Sequence, residues 1–325
     1  MTIRHGIHKC DYPSALGLRY KKPCTRFARE ENMATLGFIG TGGMGGGMAA
    51  NLIKAGYRLV INDLRREVTR NLESQGAEFK ESPRAAAEAS DMVLSMLPYN
   101  QAVREVGLGR GGLHEAVKGA RVWIDFSSID KKTILEVNEG LKKKGWTLLD
   151  ASAGGVEEQA AAGALSLWVS GPKALFEQHL PIFSAMGKNI IHVGELGNAK
   201  LVKNAMAMWA AIEHMGLVEI MHWLKKGGVS EETFHTVMSR SQQKSEAIER
   251  IFETLVSRKF KPRKSWMPKD VGFGLDVARE MEVPMPFSAL AYQLFAIAQA
   301  NGLDGYEATG IAHHVYGLIS GEKKG

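Results

Sequence analysis

The stretch Leu36-Gly37-Phe38-Ile39-Gly40-Thr41-Gly42-Gly43-Met44-Gly45 decides the reading of this chain. A short apolar run meets glycines at 40, 42 and 45, the spacing Gly-x-Gly-x-x-Gly, and a helical pattern then runs to Ala55. Strand, glycine turn and helix in that order are the context in which such a turn holds a dinucleotide pyrophosphate. Gly40 permits the tight turn, Gly42 lets backbone approach the phosphates, and Gly45 lets the helix pack on the strand. Gly43 and Met44 complete the predicted cradle, at a helix end that attracts negative charge. A second signal supports the first. The next strand, Arg58-Leu-Val-Ile-Asn-Asp63, ends in an acid 23 residues after Gly40. An acid at that offset accepts hydrogen bonds from the adenosine ribose and repels a 2′-phosphate. NAD is therefore the expected cofactor, and NADP, favoured only by Arg65 and Arg66, the lesser alternative.

Outward from this motif, short apolar runs alternate with helical stretches, the pattern of a parallel sheet wound with helices. Strands are expected at 36–39, 58–62, 91–96, 121–126, 147–150, 165–169 and 190–193. Beyond Gly197 the strands stop, and helices are expected at 198–226, 231–239, 245–254, 268–280, 287–300 and 306–319. The fold class that follows is α/β: a doubly wound Rossmann-type sheet, then an all-α domain, joined by a long interdomain helix. The expected division is a basic, disordered extension over 1–33, a dinucleotide-binding domain over 34–195 and a helical domain over 196–325.

Composition narrows the functions. Of 325 residues, 45% are hydrophobic and 23% charged, ordinary for a globular protein. The net charge is +6, of which residues 1–32 hold +4, seven Lys or Arg against three acids. The body is near neutral and lacks the dense basic face that nucleic-acid binding requires. No apolar run approaches the roughly 18–20 residues that span a bilayer. Cys10 and Cys24 are the only cysteines, which argues for a reducing compartment. No histidine or cysteine cluster has metal-ligand spacing, and no metal is expected. The cytoplasm is the expected location, with a mitochondrial one open if residues 1–32 are a transit peptide; the other reading of that segment is an upstream start.

The body, from residue 35 to about 319, resembles the β-hydroxyacid dehydrogenase family, which includes 3-hydroxyisobutyrate dehydrogenase. The glycine turn with Met48-Ala-Ala-Asn-Leu52 and Lys54-Ala-Gly56 is similar to its first strand and helix. Met96-Leu97-Pro98 resembles its cofactor-side loop, and Asp125-Phe-Ser127-Ser128 the loop beside the nicotinamide. Asp150-Ala-Ser152-Ala-Gly154-Gly155 resembles its substrate turn, Lys200 with Asn204 its catalytic helix, and Lys269-Asp270 a pair near its active site. Two departures stand out. The family's Ser-Gly-Gly has no serine in this register, and the stretch from Gly197 to Lys200 is about a residue short.

The resemblance implies hydride transfer between NAD and a small 3-hydroxy acid, with Lys200 as general acid–base and Asn204 beside it. A lysine can serve when burial lowers its pKa towards neutrality. Lys203 is the rival, although it does not share a helical face with Asn204. Leu97, Pro98, Ser127 and Lys269 would meet the cofactor. Ser127, Ser152, Gly154 and Gly155 would hold a substrate carboxylate, since backbone amides at a glycine turn suit an anion. Reduction of tartronate semialdehyde or another semialdehyde is the alternative reaction, and a non-catalytic dinucleotide-binding relative the alternative class. The helical domain implies a homodimer or homotetramer.

Overall fold

The computed structural model describes residues 9–13, 19–23, 34–263 and 265–321. Within the extension, Lys9–Pro13 (β1) and Arg19–Pro23 (β2) pair antiparallel, with Tyr12 opposite Tyr20. These ten residues form a hairpin where disorder was expected. The rest of that call, and with it Cys24, lies outside the described residues.

The main sheet contains Thr35–Ile39 (β3), Arg58–Asn62 (β4), Glu78–Phe79 (β5), Met92–Ser95 (β6), Val122–Asp125 (β7), Thr147–Gly154 (β8), Leu165–Ser170 (β9) and Gly187–His192 (β10). Their spatial order is β10-β9-β8-β7-β6-β3-β4-β5. The chain steps outward in one direction through β4 and β5, then returns to β6 on the other side of β3. A crevice opens at that reversal, above the carboxyl ends of β3 and β6, where open α/β sheets bind their ligands. Leu36, Phe38 and Ile39 are buried, as a central parallel strand covered on both faces demands.

The strand reading needs two corrections. β9 runs antiparallel to β8, so the sheet is mixed. β8 continues to Gly154, which makes the expected substrate turn the end of a strand. The short β5 and the helices Asn100–Leu108 and Glu157–Ala161 had no strong sequence signal.

Helix Gly43–Lys54 buries Gly45, Met48, Ala49 and Leu52, one face at helical spacing. Its early turns sit close against helix Glu157–Ala161: a Cβ on Gly47 would meet the Ala161 nitrogen at 2.8 Å. Asn51 Nδ2 donates to Ala160 O at 2.7 Å and holds that contact.

After β10 the chain enters helix Asn198–Lys226, 29 residues long, which spans about 43 Å. Gly197, at φ 92°, starts it from the left-handed region that glycine adopts freely. Helices Glu231–Ser239, Glu246–Ser257, Met267–Glu280, Pro286–Ala300 and Ala308–Ile319 gather around it. Ser230 and Ser245 cap two of them through the amides of Thr233 and Ile248. Met208, Met215, Val218 and Met221 of the long helix pack into this second core with Phe252, Val271 and Phe295.

Candidate active site

The glycine turn has the geometry a dinucleotide requires. Gly40 lies at φ 86°, and a Cβ there would stand 2.4 Å from Met96 O. A Cβ on Gly45 would stand 2.0 Å from Gly40 O, so the helix approaches the strand only because that atom is missing. Asp63, at the end of β4, fastens the turn: Thr41 N donates to its Oδ2 at 2.8 Å and Arg65 N to its Oδ1 at 2.9 Å. Each oxygen retains acceptor capacity for a ribose hydroxyl. Beside the turn, the Glu157 carboxylate lies against Gly43 and the Arg65 guanidinium against Gly42.

Across the crevice, Leu97 N donates to Ser127 Oγ at 2.9 Å, and Ser127 Oγ donates to Asp125 Oδ1 at 2.6 Å. Ser127 is wholly buried. Its hydroxyl shapes the loop from within. Ser152 Oγ and Asn204 Nδ2 are buried and have no hydrogen-bond partner. Gly155 is exposed, at φ 135°, with Gly154 half-buried behind it. Ser152 and Gly154 belong to the end of β8, Gly155 lies just past it, and Asn204 belongs to the long helix.

Lys200 lies deeper than its place at the start of a helix suggests. Its side chain is wholly buried, and the amine lies 3.1 Å from Asp125 Oδ2 and 2.9 Å from Asp150 Oδ1. It also donates to the carbonyls of Ser127 at 2.7 Å and Ala151 at 2.9 Å. Burial alone would lower its pKa, yet the two carboxylates outweigh that and hold it above the ordinary lysine range. Asp150, in turn, is pushed up by burial, against the pull of Lys200. Asn204, one turn on, faces helix Met267–Glu280, where a Cβ on Gly274 would stand 3.3 Å from its own.

Lys203 reaches the cleft that Lys200 does not. Its side chain is 21% exposed, and its amine lies 4.0 Å from Asp270 Oδ2. It donates to Ala153 O at 3.0 Å, which places it at the end of β8. Lys269 enters from helix Met267–Glu280 and donates to Ser128 O at 2.8 Å and Pro98 O at 3.3 Å. Burial and, secondarily, the neighbouring lysines hold Lys269 below its ordinary pKa, against the pull of Asp270. Burial pushes Asp270 up. Asp270 thus sits between two amines, both aimed at carbonyls of the sheet domain.

The sequence reading expected the cradle, Asp63, the end of β8 and Lys269 around one site; in the structure Lys269 reaches Pro98 O and Ser128 O, and Lys203 reaches Ala153 O. It missed the contacts that Asp125 and Asp150 make with Lys200. The available signal was two aspartates on consecutive strands, a pair of buried like charges that demands a cation. Distances along a helix could not say which lysine turns inward.

A doubly wound sheet with this cradle, followed by a helical bundle offering lysines to the crevice, defines a dinucleotide-dependent oxidoreductase. Comparison with known proteins agrees. Residues 35–194 match the NAD binding domain of 6-phosphogluconate dehydrogenase, and residues 197–315 match the model described as NAD-binding of NADP-dependent 3-hydroxyisobutyrate dehydrogenase. A 3-hydroxyisobutyrate dehydrogenase of Pseudomonas aeruginosa is 34% identical over 84% of this chain and 96% of its own length. A 2-(hydroxymethyl)glutarate dehydrogenase of Eubacterium barkeri is 33% identical over 84% and 92%. The solved 3-hydroxyisobutyrate dehydrogenase of Mycobacterium tuberculosis superposes with a TM-score of 0.81 at 25% identity, over 87% of this chain and 99% of that one. The chain belongs to the β-hydroxyacid dehydrogenase family and has the nicotinamide-dinucleotide domains of an oxidoreductase of that class.

Proposed function

We propose that the protein interconverts a small 3-hydroxy acid and its semialdehyde, with NAD as cofactor and Lys200 as the general acid–base beside Asn204. The observation that carries this reading is Lys200 in the first turn of the long helix, its amine 2.7 Å from Ser127 O and 2.9 Å from Ala151 O, with the unpartnered Asn204 Nδ2 one turn on. Bound at the glycine turn, the dinucleotide would accept or return a hydride. The chain supplies the rest. Backbone amides near Gly154 and Gly155, with Ser152 Oγ and Asn204 Nδ2 still lacking partners, suit the carboxylate and hydroxyl of a small acid. Lys200 takes the hydroxyl proton during oxidation and returns one during reduction. Lys269, tied to Ser128 and Pro98, holds the helical domain over the crevice and keeps positive charge near the carboxylate. Asp63 favours NAD by its place at the end of β4.

Among the described residues no helix is long and apolar enough to cross a membrane, and we assign the enzyme to the cytoplasm. We also propose a homo-oligomer. Met206, Trp209, Ile220 and Trp223 lie exposed on one face of the long helix, a stripe that a second copy would cover.

The test is NADH formation at 340 nm across a panel of small hydroxy acids, with NADP in parallel, for the parent protein, Lys200→Ala and Lys203→Ala. A substrate should reduce NAD, and Lys200→Ala should lose about two to four powers of ten in turnover, as for a missing general acid–base. Turnover that survives Lys200→Ala and is lost in Lys203→Ala moves the role to Lys203.

A further inference from the structure

Strands β8 and β9 pair Asp150 with Ser170, Ser152 with Trp168 and Gly154 with Ser166. Alternate residues of a strand share a face, so these six lie on one side of the pair. The first turn of the long helix crosses that side, where Gly197 N donates to Asp150 Oδ2 and Ala199 N to Ser170 Oγ, each at 3.1 Å. The helix then follows β8 toward its end. Lys200 donates to Ala151 O at 2.9 Å, and Lys203, less than a turn later, to Ala153 O at 3.0 Å. Lys203 therefore meets β8 between Ser152 and Gly154. A Cβ on Gly154 would stand 2.6 Å from the Trp168 ring, so a serine hydroxyl has no place there and the indole closes that side.

Charge at this end of the strand is unbalanced. Lys203 and Lys269 flank one carboxylate, Asp270, at 4.0 and 3.8 Å, both beyond hydrogen-bond reach. Lys269 directs two donors to Ser128 O and Pro98 O. Lys203 has a single acceptor at hydrogen-bond distance among the described residues, Ala153 O. An ammonium carries three donors, so two on Lys203 remain, on a side chain 21% exposed. Lys200 differs, being wholly buried and enclosed by two carboxylates.

We propose that Lys203 determines specificity: its ammonium receives a second acidic group on the substrate, beyond the carboxylate taken up at Gly154 and Gly155. The preferred substrates are then small hydroxy acids that carry two negative charges, the second a carboxylate or a sulfonate. Two ammoniums against one carboxylate leave one positive charge at this end of β8, and a second anion matches it. That anion also gives the remaining donors of Lys203 charge-assisted partners, stronger than the water a mono-acid would leave there. Lys200 keeps the proton-transfer role, three residues earlier on the same helix.

This inference rests on the crevice being the dinucleotide and hydroxy acid site. The probes are 3-hydroxyisobutyrate and three derivatives whose methyl group bears a carboxylate, a sulfonate or a carboxamide. The carboxamide copies the carboxylate in shape without its charge. NADH formation is followed for the parent, Lys203→Met and Lys203→Arg. In the parent, kcat/KM for the carboxylate or the sulfonate should exceed that for the carboxamide by about 10- to 100-fold, the scale of a hydrogen bond to a charged group. The larger of the two ratios names the second acid. Most of the difference should lie in KM, as for a contact made equally in the ground and transition states. Lys203→Met should bring the ratio to about one or below, while Lys203→Arg, which keeps the charge, should retain it. A ratio within one variant does not depend on how much of that variant folds, so a loss of stability leaves the test intact. A preference that survives Lys203→Met overturns the proposal, because the second acid then sits elsewhere. So does a parent that takes the carboxamide as well as the carboxylate, with the hydroxy acid reading of the crevice left standing. A parent that binds NADH, read by fluorescence, yet oxidises none of the four probes defeats that reading and this inference with it.

Discussion

The sheet domain and the helical domain solve the burial problem differently. In the sheet domain the strands are covered on both faces, and buried polar groups at their ends are joined in one network: Asp125, Ser127, Asp150 and Ser170 all have partners. In the helical domain, large apolar side chains remain in solvent, including Trp209 at 59% and Trp223 at 70% exposure. Its lysines at the crevice, Lys203 and Lys269, find acceptors on the opposite domain.

This contrast can be broken in three places. The largest effect should come from Gly45→Val. Its Cβ would stand 2.0 Å from a backbone oxygen that has no room to yield, so NADH binding should weaken by at least about 100-fold in a fluorescence titration, with a lower Tm, as steric change at a packed site predicts. A variant that binds normally would mean that the cradle is looser than its geometry. Asp63→Ala removes an acceptor for the ribose and the anchor of Thr41 N. NAD affinity should drop by about tenfold, the scale of one charged hydrogen bond, while NADP loses less. Equal losses for both cofactors would remove Asp63 as the discriminating residue. The smallest effect on the single chain should be that of Trp209→Glu with Trp223→Glu. Both side chains are solvated in one copy, so the circular dichroism spectrum should stay unchanged while light scattering reports a smaller assembly. An unchanged mass would place the oligomer contact elsewhere, or deny it.

Much of the fold was legible because its signals are local. The glycine turn, the acid 23 residues on and the helical periods beyond Gly197 are written in neighbouring residues, and helix Asn198–Lys226 begins and ends where its pattern says. β8 was read short, since Ala151-Ser-Ala-Gly154 has the composition of a turn and becomes strand only by pairing with Leu167 and its neighbours in β9. The hairpin at Lys9–Pro13 and Arg19–Pro23 had no alternating apolar pattern to announce it.

The candidate site divides the same way. The glycine spacing alone points to a dinucleotide cradle at Gly40–Gly45, and the family resemblance to a lysine near the start of the long helix. Only the tertiary structure decided which lysine is buried between carboxylates. Lys200 and Lys203 share a helix, a charge and an intrinsic pKa, and nothing within three residues distinguishes them. The difference arises from Asp125 and Asp150, 75 and 50 residues earlier in the chain. The sheet brings those carboxylates under one face of the helix, where they bind Lys200 and leave Lys203 to the cleft.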